Sequence, residues 1–497
     1  MVVSGTVQHN WRFHTLGLLA TLLIKGLIFI YFIIDFGGLM PDGHFAQWMD
    51  DSPGYVGPVD ELLEHGQVFD DHRMPGYAPP LLVFRAVLPR LAAHDAMVLL
   101  QLVFGCLAAW ACTVIVLWLT RSKLWTALAF VISCTAMFHS RYELQLMTDS
   151  FCASATTLAV FSLLAHLRSG RRAWLWVAGL MLTWAIFLRP IYALLFPCLG
   201  LLLLLRKGHT WRLRLGHVLL FVLPWLVIDG AWVVRNYKVY GEVRPLTNGL
   251  YNPTFLKGSY YAMLQFVTAY GGNNNYWDPQ SDLRFYGLYE QRPPGMAPLP
   301  RVDKEPPEYI YTSEYNRDSL LLFRPLFEHR YDTAYPQVKQ DSLRALVWER
   351  AMRYRAAFVE EHPFRYHVWS RVVLVGHLLN HSGSSLIFQK AWPEMAWWER
   401  GIKLYQSGLY VFAVALGMIG GLVLLWFNRR DTAYLMLVGT VVYGVLIHSI
   451  AMRLCEMRYL VPTFPLTLTV AVLAAHALWA RFSNRSRKAT HSVRAGK

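Results

Sequence analysis

Charge is what this sequence has least of: Asp, Glu, Lys and Arg make up 16% of its 497 residues, against about a quarter in a soluble domain. That shortage, together with long apolar runs, excludes the two or three soluble domains that length alone would suggest. Cysteine is scarce and unpaired. Cys106, Cys112, Cys134, Cys152, Cys198 and Cys455 form no CxxC pair, and five of the six lie inside apolar runs. Small apolar filler is therefore a better reading than a zinc site or a disulfide framework. There is no internal repeat and no heptad pattern. No small-residue cleavage site follows the first apolar run, which is also too long for a signal-peptide core, so it is expected to be a retained anchor.

What the sequence does have is about ten apolar spans of roughly 17–25 residues, the length a bilayer core demands. They cover 15–35, 95–119, 123–139, 147–167, 173–189, 190–206, 214–234, 404–426, 432–451 and 459–481. The net charge of +15 does not point to nucleic acid, because most of the cations sit in short loops beside these spans. Arg121 and Lys123, Arg168 with Arg171 and Arg172, Arg206 with Lys207, Arg212 and Arg214, Arg429 with Arg430, and the tail from Arg481 to Lys497 all fall on one side. Positive residues mark the cytoplasmic side, which places both termini inside.

The expected organisation is a membrane-spanning module over 1–234 with an outer loop at 35–79, an extracytoplasmic domain over 235–403, helices over 404–481 and a basic tail from 482. The fold class is all-α in the membrane, with a mixed outer domain rich in Tyr, Trp, Pro and Asn. Near the end of that domain, 343–361 has helical periodicity, and Phe364 to Leu379 is patterned to lie on a membrane surface.

Charges at the outer ends of spans run against the inside bias, and ionisable groups at a membrane edge are costly enough to be functional candidates. Asp50, Asp51, Tyr55, Arg73 and Tyr77 occupy the first outer loop. Arg141, Glu143 and Asp149 open a span, Arg189 sits in the short turn Leu188-Arg189-Pro190, and Arg235, Asn236 and Tyr237 lie where another span exits. Arg453, Glu456, Arg458 and Tyr459 precede the last span. Singly, each has a bland explanation: a solvated turn, a helix cap, a snorkelling anchor or a surface pair worth little. Jointly, acids and arginines from distant parts of the chain reach one depth. That suits a phosphate-bearing lipid, because the planar fork of arginine matches phosphate oxygens and keeps its charge when partly desolvated.

The ordered motifs carry a resemblance. Asp51-x-x-x-Tyr55 with Gly66 and Arg73-x-Pro75-x-Tyr77 come first, then Asp149, Leu188-Arg189-Pro190, Val234-Arg235-Asn236-Tyr237 with Gly241, and Leu246-Thr247-Asn248-Gly249. Glu361-His362-Pro363 and Arg458-Tyr459-x-x-Pro462-x-x-Pro465 follow. Over roughly residues 15–470 this set resembles the polyprenyl-phosphate-sugar-dependent GT-C glycosyltransferases, the branch holding protein O-mannosyltransferases and lipid A aminoarabinose transferases.

The resemblance implies a catalytic base in the first outer loop, here Asp51, with Asp50 in reserve. It implies transfer of a sugar from a polyprenyl-phosphate donor to an acceptor hydroxyl on a lipid, glycan or protein, on the outer face of the cell membrane. Family members often carry an acidic pair at this point, whereas Ser52 follows Asp51 here, which weakens the case for a metal bound by such a pair. Asp149 would be a second carboxylate, positioning the acceptor or a divalent ion such as Mg or Mn. Arg189, Arg235 and Arg458, with Arg73, are the candidates for the donor phosphate. Tyr55, Tyr77, Glu143, Asn236, Tyr237, Glu456 and Tyr459, with Asp50, are candidate substrate-binding groups. Direct displacement would invert the anomeric centre. A lipid flippase or secondary transporter, a lipid-linked oligosaccharide ligase or polymerase, and a non-catalytic partner are the alternatives. The missing inverted repeat and the single large outer domain disfavour transport.

Overall fold

The computed structural model describes residues 11–35, 43–49, 51–66, 73–246, 259–272, 305–323, 326, 335–380, 387, 390–453 and 457–495. Asp50, Glu456, Cys455, 247–249 and the Asn-rich 273–278 lie outside the described residues. The chain divides into two units. One comprises Met1–Asn248, Ser382–Gly444 and Val461–Lys497; the other comprises Gly249–His381 and Val445–Leu460.

The first unit is helical: α1 (Trp11–Asp35), α2 (Pro53–His65), α3 (Ala78–Arg85), α4 (Arg90–Thr120), α5 (Lys123–Thr135), α6 (Met137–Ser140), α7 (Asp149–Ser169), α8 (Ala173–Leu188), α9 (Leu195–Leu204) and α10 (Trp211–Tyr240). Among the described residues, seven helices are long and apolar enough to cross a membrane: α1, α4, α7, α10, Trp397–Phe427, Thr432–Ala451 and Met457–Ser483. Three of the ten expected spans are shorter. Lys123–Thr135 has 13 residues, Ala173–Leu188 has 16, and Pro190–Leu204 begins as a 3₁₀ turn after Arg189. At 1.5 Å per residue these cover only about 20–24 Å, less than the roughly 30 Å hydrocarbon core.

Local sequence explains where these helices stop and how closely they pack. Gly170 and Gly241 end α7 and α10 at φ 69° and 71°, the left-handed conformation glycine adopts without steric cost. Helix α7 is buried along most of its length, packed against α8 and α4. Its run Ser150, Cys152, Ala153, Ser154, Ala155, Thr156 and Thr157 supplies the small side chains that let helices approach closely in a membrane. By contrast α1 buries one stripe, Thr21, Lys25, Phe29 and Phe32, at helical spacing, and exposes Leu16, Leu19, Leu23, Leu27 and Ile30.

Between α5 and α7 the backbone is irregular and buried nearly throughout. Irregular chain survives at membrane depth only where protein satisfies its peptide groups. Two buried glutamines do so. Gln406 accepts from Met137 N (3.0 Å) and donates to the Thr135 carbonyl (2.7 Å). Gln101 of α4 donates to the carbonyls of Glu143 (2.9 Å) and Gln145 (2.8 Å).

In the second unit, α11 (Ser259–Ala269) packs on α13 (Gln337–Glu361), and α12 (Arg317–Leu321) lies between them in sequence. Its core is aromatic, with Phe266 4.7 Å from Tyr354 and stacked on Phe323. The amphipathic segment expected at 364–379 forms a π turn followed by α14 (Ser370–Leu379). Tyr366, Ser370, Leu374 and Leu378 are buried at four-residue spacing, while Phe364, Val368, Trp369 and Val372 are exposed.

Candidate functional site

The first outer loop is pinned from two directions before it presents Asp51. Asp95, in the second turn of α4, accepts from Phe45 N (3.0 Å) and Ala46 N (2.9 Å) and bonds His44 Nδ1 (2.6 Å). Gln47 then pairs with the buried segment before α7: its N–H donates to the Leu144 carbonyl (2.9 Å), and Leu146 N donates to its carbonyl (3.0 Å). Ser52 Oγ accepts from Met49 N (2.8 Å), folding the chain back so that α2 opens at Pro53, two residues after Asp51.

Asp51 is ion-paired with Arg73 at 2.8 Å, with side-chain exposures of 27% and 29%. The guanidinium lies over the Tyr55 ring at 4.1 Å. Gly54 leaves the room for this, since a Cβ there would sit 2.4 Å from Arg73 Nε. The Asp51, Tyr55 and Arg73 expected from spacing therefore meet. Tyr55 joins them to the second carboxylate: Thr148 Oγ1 donates to its hydroxyl at 3.2 Å. Asp149 follows at the first residue of α7, fully buried, with its Oδ1 2.6 Å from Arg189 Nη2.

The Arg73–Tyr77 segment is fixed against the end of α8. Gly76 N donates to the Phe187 carbonyl (3.0 Å), and Trp184 Nε1 donates to the Gly76 carbonyl (2.9 Å). A Cβ on Gly76 would meet Phe187 backbone atoms at 2.4–2.5 Å. Tyr77 is buried between Tyr55 (5.8 Å) and Phe151 (5.9 Å). Arg189 thus stands on Asp149, and its side chain is 13% exposed.

Glu143 stands differently. It is buried, and its Oε1 lies 2.8 Å from Lys25 Nζ on the inward face of α1. Lys25 also donates to Ser140 Oγ at 2.6 Å. A Cβ at Gly105 would come within 2.0 Å of Glu143 Oε1, so α4 keeps a glycine there. Two carboxylates with roles in this architecture, Asp95 and Glu143, thus serve the segments that hold Asp51 and Asp149.

Arg235, Asn236 and Tyr237 form a second group at the end of α10. Arg235 donates to Asn236 Oδ1 (2.9 Å) and lies over Trp232 (4.8 Å), and Asn236 Nδ2 donates to the Arg244 carbonyl (2.8 Å). Asn236 is fully buried and Tyr237 exposed. In the second unit Arg458 lies over Tyr459 at 5.6 Å, and Tyr459 stacks on His448 at 4.7 Å. Arg453 donates to the Tyr366 carbonyl (3.0 Å) and to Ser370 Oγ (2.9 Å), fastening the amphipathic segment. Burial lowers its guanidinium to about 10, which leaves it charged at neutral pH. Glu361, from Glu361-His362-Pro363, accepts from Ser313 N at 2.8 Å, and the His362 ring bonds the Tyr311 carbonyl at 2.8 Å.

The described residues do not gather a donor set for the divalent ion considered above. An arginine engages each of Asp51 and Asp149, and no three His, Cys, Asp or Glu side chains converge. Sequence reasoning missed Lys25, Asp95, Gln101, Thr148 and Gln406. Lys25 and Asp95 carried a signal, being charges within or at the edge of a span.

No family model and no curated protein matches the chain. A solved structure, that of ArnT from Cupriavidus metallidurans bound to undecaprenyl phosphate, matches over 94% of this chain and 78% of that chain, at 12% identity and a TM-score of 0.32.

Proposed function

We propose that the protein is an integral membrane glycosyltransferase that moves a sugar from a polyprenyl-phosphate donor to an acceptor hydroxyl, with Asp51 as the base. The observation that carries this reading is the Asp51–Arg73 pair: a carboxylate about a quarter exposed, on a loop pinned from two directions, already beside a cation. A polyprenyl phosphate leaves without protonation, so one base suffices. Asp51 takes the proton from the acceptor hydroxyl as that oxygen bonds the anomeric carbon. The bond from that carbon to the phosphate oxygen breaks, the phosphate departs with the electron pair, and the centre inverts.

Arg73 has two tasks in this scheme. Before donor binding it holds Asp51. When a donor phosphate arrives, the guanidinium turns to it through paired charge-assisted hydrogen bonds, releasing the carboxylate for the acceptor and stabilising the leaving group. Asp149 and Arg189 brace the floor of the site through Thr148 and Tyr55. Arg235 and Arg458 are further cations for the donor. Loop charge supports a site on the extracytoplasmic face.

The test uses protein in proteoliposomes with a polyprenyl-phosphate sugar. Arg73→Gln should weaken donor use more than it changes acceptor use, and Arg235→Gln and Arg458→Gln should weaken donor use less. Donor dependence unchanged in all three removes the phosphate role. Access of span residues alternating between the two sides of the membrane would favour transport instead.

A further inference from the structure

Helix α7 carries Asp149 on its first turn and Arg168 on its last, roughly 30 Å away along the axis. At that far end, on the side that loop charges mark as cytoplasmic, the ends of α4, α7 and α9 and the link after α16 (Gly421–Phe427) line an open cavity of about 1310 Å³. Five cations line it, Arg168, Arg206, Lys207, Arg429 and Arg430, against the single acid Asp431. None of the five is ion-paired among the described residues. Asp431 is spent elsewhere: its carboxylate accepts from Ala433 N at 2.9 Å and caps the following helix, α17 (Thr432–Leu446).

Topology and helix dipoles account for cations at these helix ends. They do not account for a cavity that gathers them over apolar walls. Arg121 and Lys123, in the neighbouring α4–α5 loop, and Arg171 and Arg172, just beyond Arg168, satisfy topology equally well, yet they do not line it. The walls are Trp118, Leu164, Leu202 and Phe427. Phe427 is exposed and carries the Arg481 guanidinium 3.7 Å above its ring, and Arg168 lies over Trp118 at 5.7 Å. Cationic forks above an apolar floor match a phosphate attached to acyl chains. The guanidiniums take the phosphate oxygens and the walls take the chains. Basic pockets between membrane helices on the cytoplasmic side bind lipid head groups in this way. The volume exceeds the roughly 300–1,000 Å³ of ordinary small-molecule pockets, leaving room for a head group with the first part of its chains.

We propose that this cavity is a binding site for an anionic phospholipid of the surrounding bilayer, separate from the Asp51 site. The full-length protein in detergent is titrated with phosphatidylglycerol, phosphatidylcholine, undecaprenyl phosphate and inorganic phosphate, and bound lipid is counted by native mass spectrometry. The variant R168Q/R206Q/R429Q/R430Q is set against R121Q/K123Q/R171Q/R172Q, which loses the same number of loop cations on the same side but outside the cavity. Should the first variant misfold, R429Q/R430Q in the exposed link replaces it.

Phosphatidylglycerol is expected to bind wild type and control alike and the cavity variant at least roughly ten-fold more weakly, with phosphatidylcholine and inorganic phosphate binding poorly to all. Equal weakening in both variants, or equal binding of phosphatidylcholine, overturns the site. Inorganic phosphate binding as tightly as the lipid makes it a soluble-anion site and also overturns the proposal. Tighter binding of undecaprenyl phosphate that only the cavity variant loses would overturn the bilayer-lipid assignment and move the carrier to this face. By contrast, failure of Asp51 variants to lose transfer would leave the cavity result standing.

Discussion

Lys25–Glu143 and Asp51–Arg73 are both ion pairs of 2.8 Å in one helical unit, yet their side-chain exposures are 0% and 3% in the first and 27% and 29% in the second. The first pair sits where neither partner can find water. Taking both charges out of solvent is costly, and such a pair persists only when its remaining hydrogen-bonding groups are satisfied. Ser140 does part of this for Lys25, and the pair ties α1 to the irregular chain ahead of Asp149. The second pair stays in reach of solvent, so its partners can be exchanged for a ligand. Similar distances therefore serve different ends: one pair fixes a scaffold, and the other is open to the exchange of partners that the proposed function requires.

The largest effect expected from breaking this contrast is in Lys25→Met, which leaves Glu143 buried and unpaired. It should cost about 3–5 kcal/mol of stability, read as a lower unfolding midpoint in detergent, and Lys25→Met with Glu143→Gln should recover most of it. A single variant as stable as wild type would remove the distinction. Gly76→Ala comes next. The added methyl meets the Phe187 backbone, and overpacking of about 1–3 kcal/mol should be accompanied by lower transfer because Arg73 and Tyr77 shift. Tyr55→Phe removes the acceptor for Thr148 and should cost only about 0.5–1.5 kcal/mol, while transfer falls further than stability does. Equal losses in the two would make Tyr55 a packing residue.

The smallest effect is a pH dependence in the second unit. Hydrogen bonds from Ser313 hold the exposed Glu361 carboxylate below its ordinary value of 4.5. A depressed acid contributes stability above its unfolded pKa and loses it as pH falls through the folded one. Protection of the Ser313 amide from hydrogen exchange, taken relative to its intrinsic rate at each pH, should therefore fall below about pH 4.5 in wild type. In Glu361→Gln that protection should be low and should not change across this range.

Charge out of place was what the sequence could show. Asp51, Tyr55, Arg73, Asp149 and Arg189 stood out because ionisable and aromatic groups at a span edge have few structural reasons to be there, and the fold links them through Thr148. Lys25 obeyed the same rule but lay inside a span, ten residues before its end at Asp35, away from the span edges where the other charges cluster. The break between spans at 140–146 was legible, but the way the buried segment 136–148 is held was not: Ala136 breaks α5 without proline or glycine, and the partners that satisfy its buried peptide groups, Gln101 and Gln406, come from distant helices. Long-range satisfaction of backbone groups has no local pattern to read. Helix lengths failed for a related reason, since α8 and α9 look like full spans in hydropathy but are cut short by Pro190.

The central claim is that Asp51 is the base, and Asp51→Asn in proteoliposomes with a polyprenyl-phosphate sugar donor tests it most directly. Transfer should fall by a factor of about 10²–10⁴ while membrane abundance and unfolding midpoint stay at wild-type values. Wild-type transfer in that variant, with the protein inserted normally, would contradict the account.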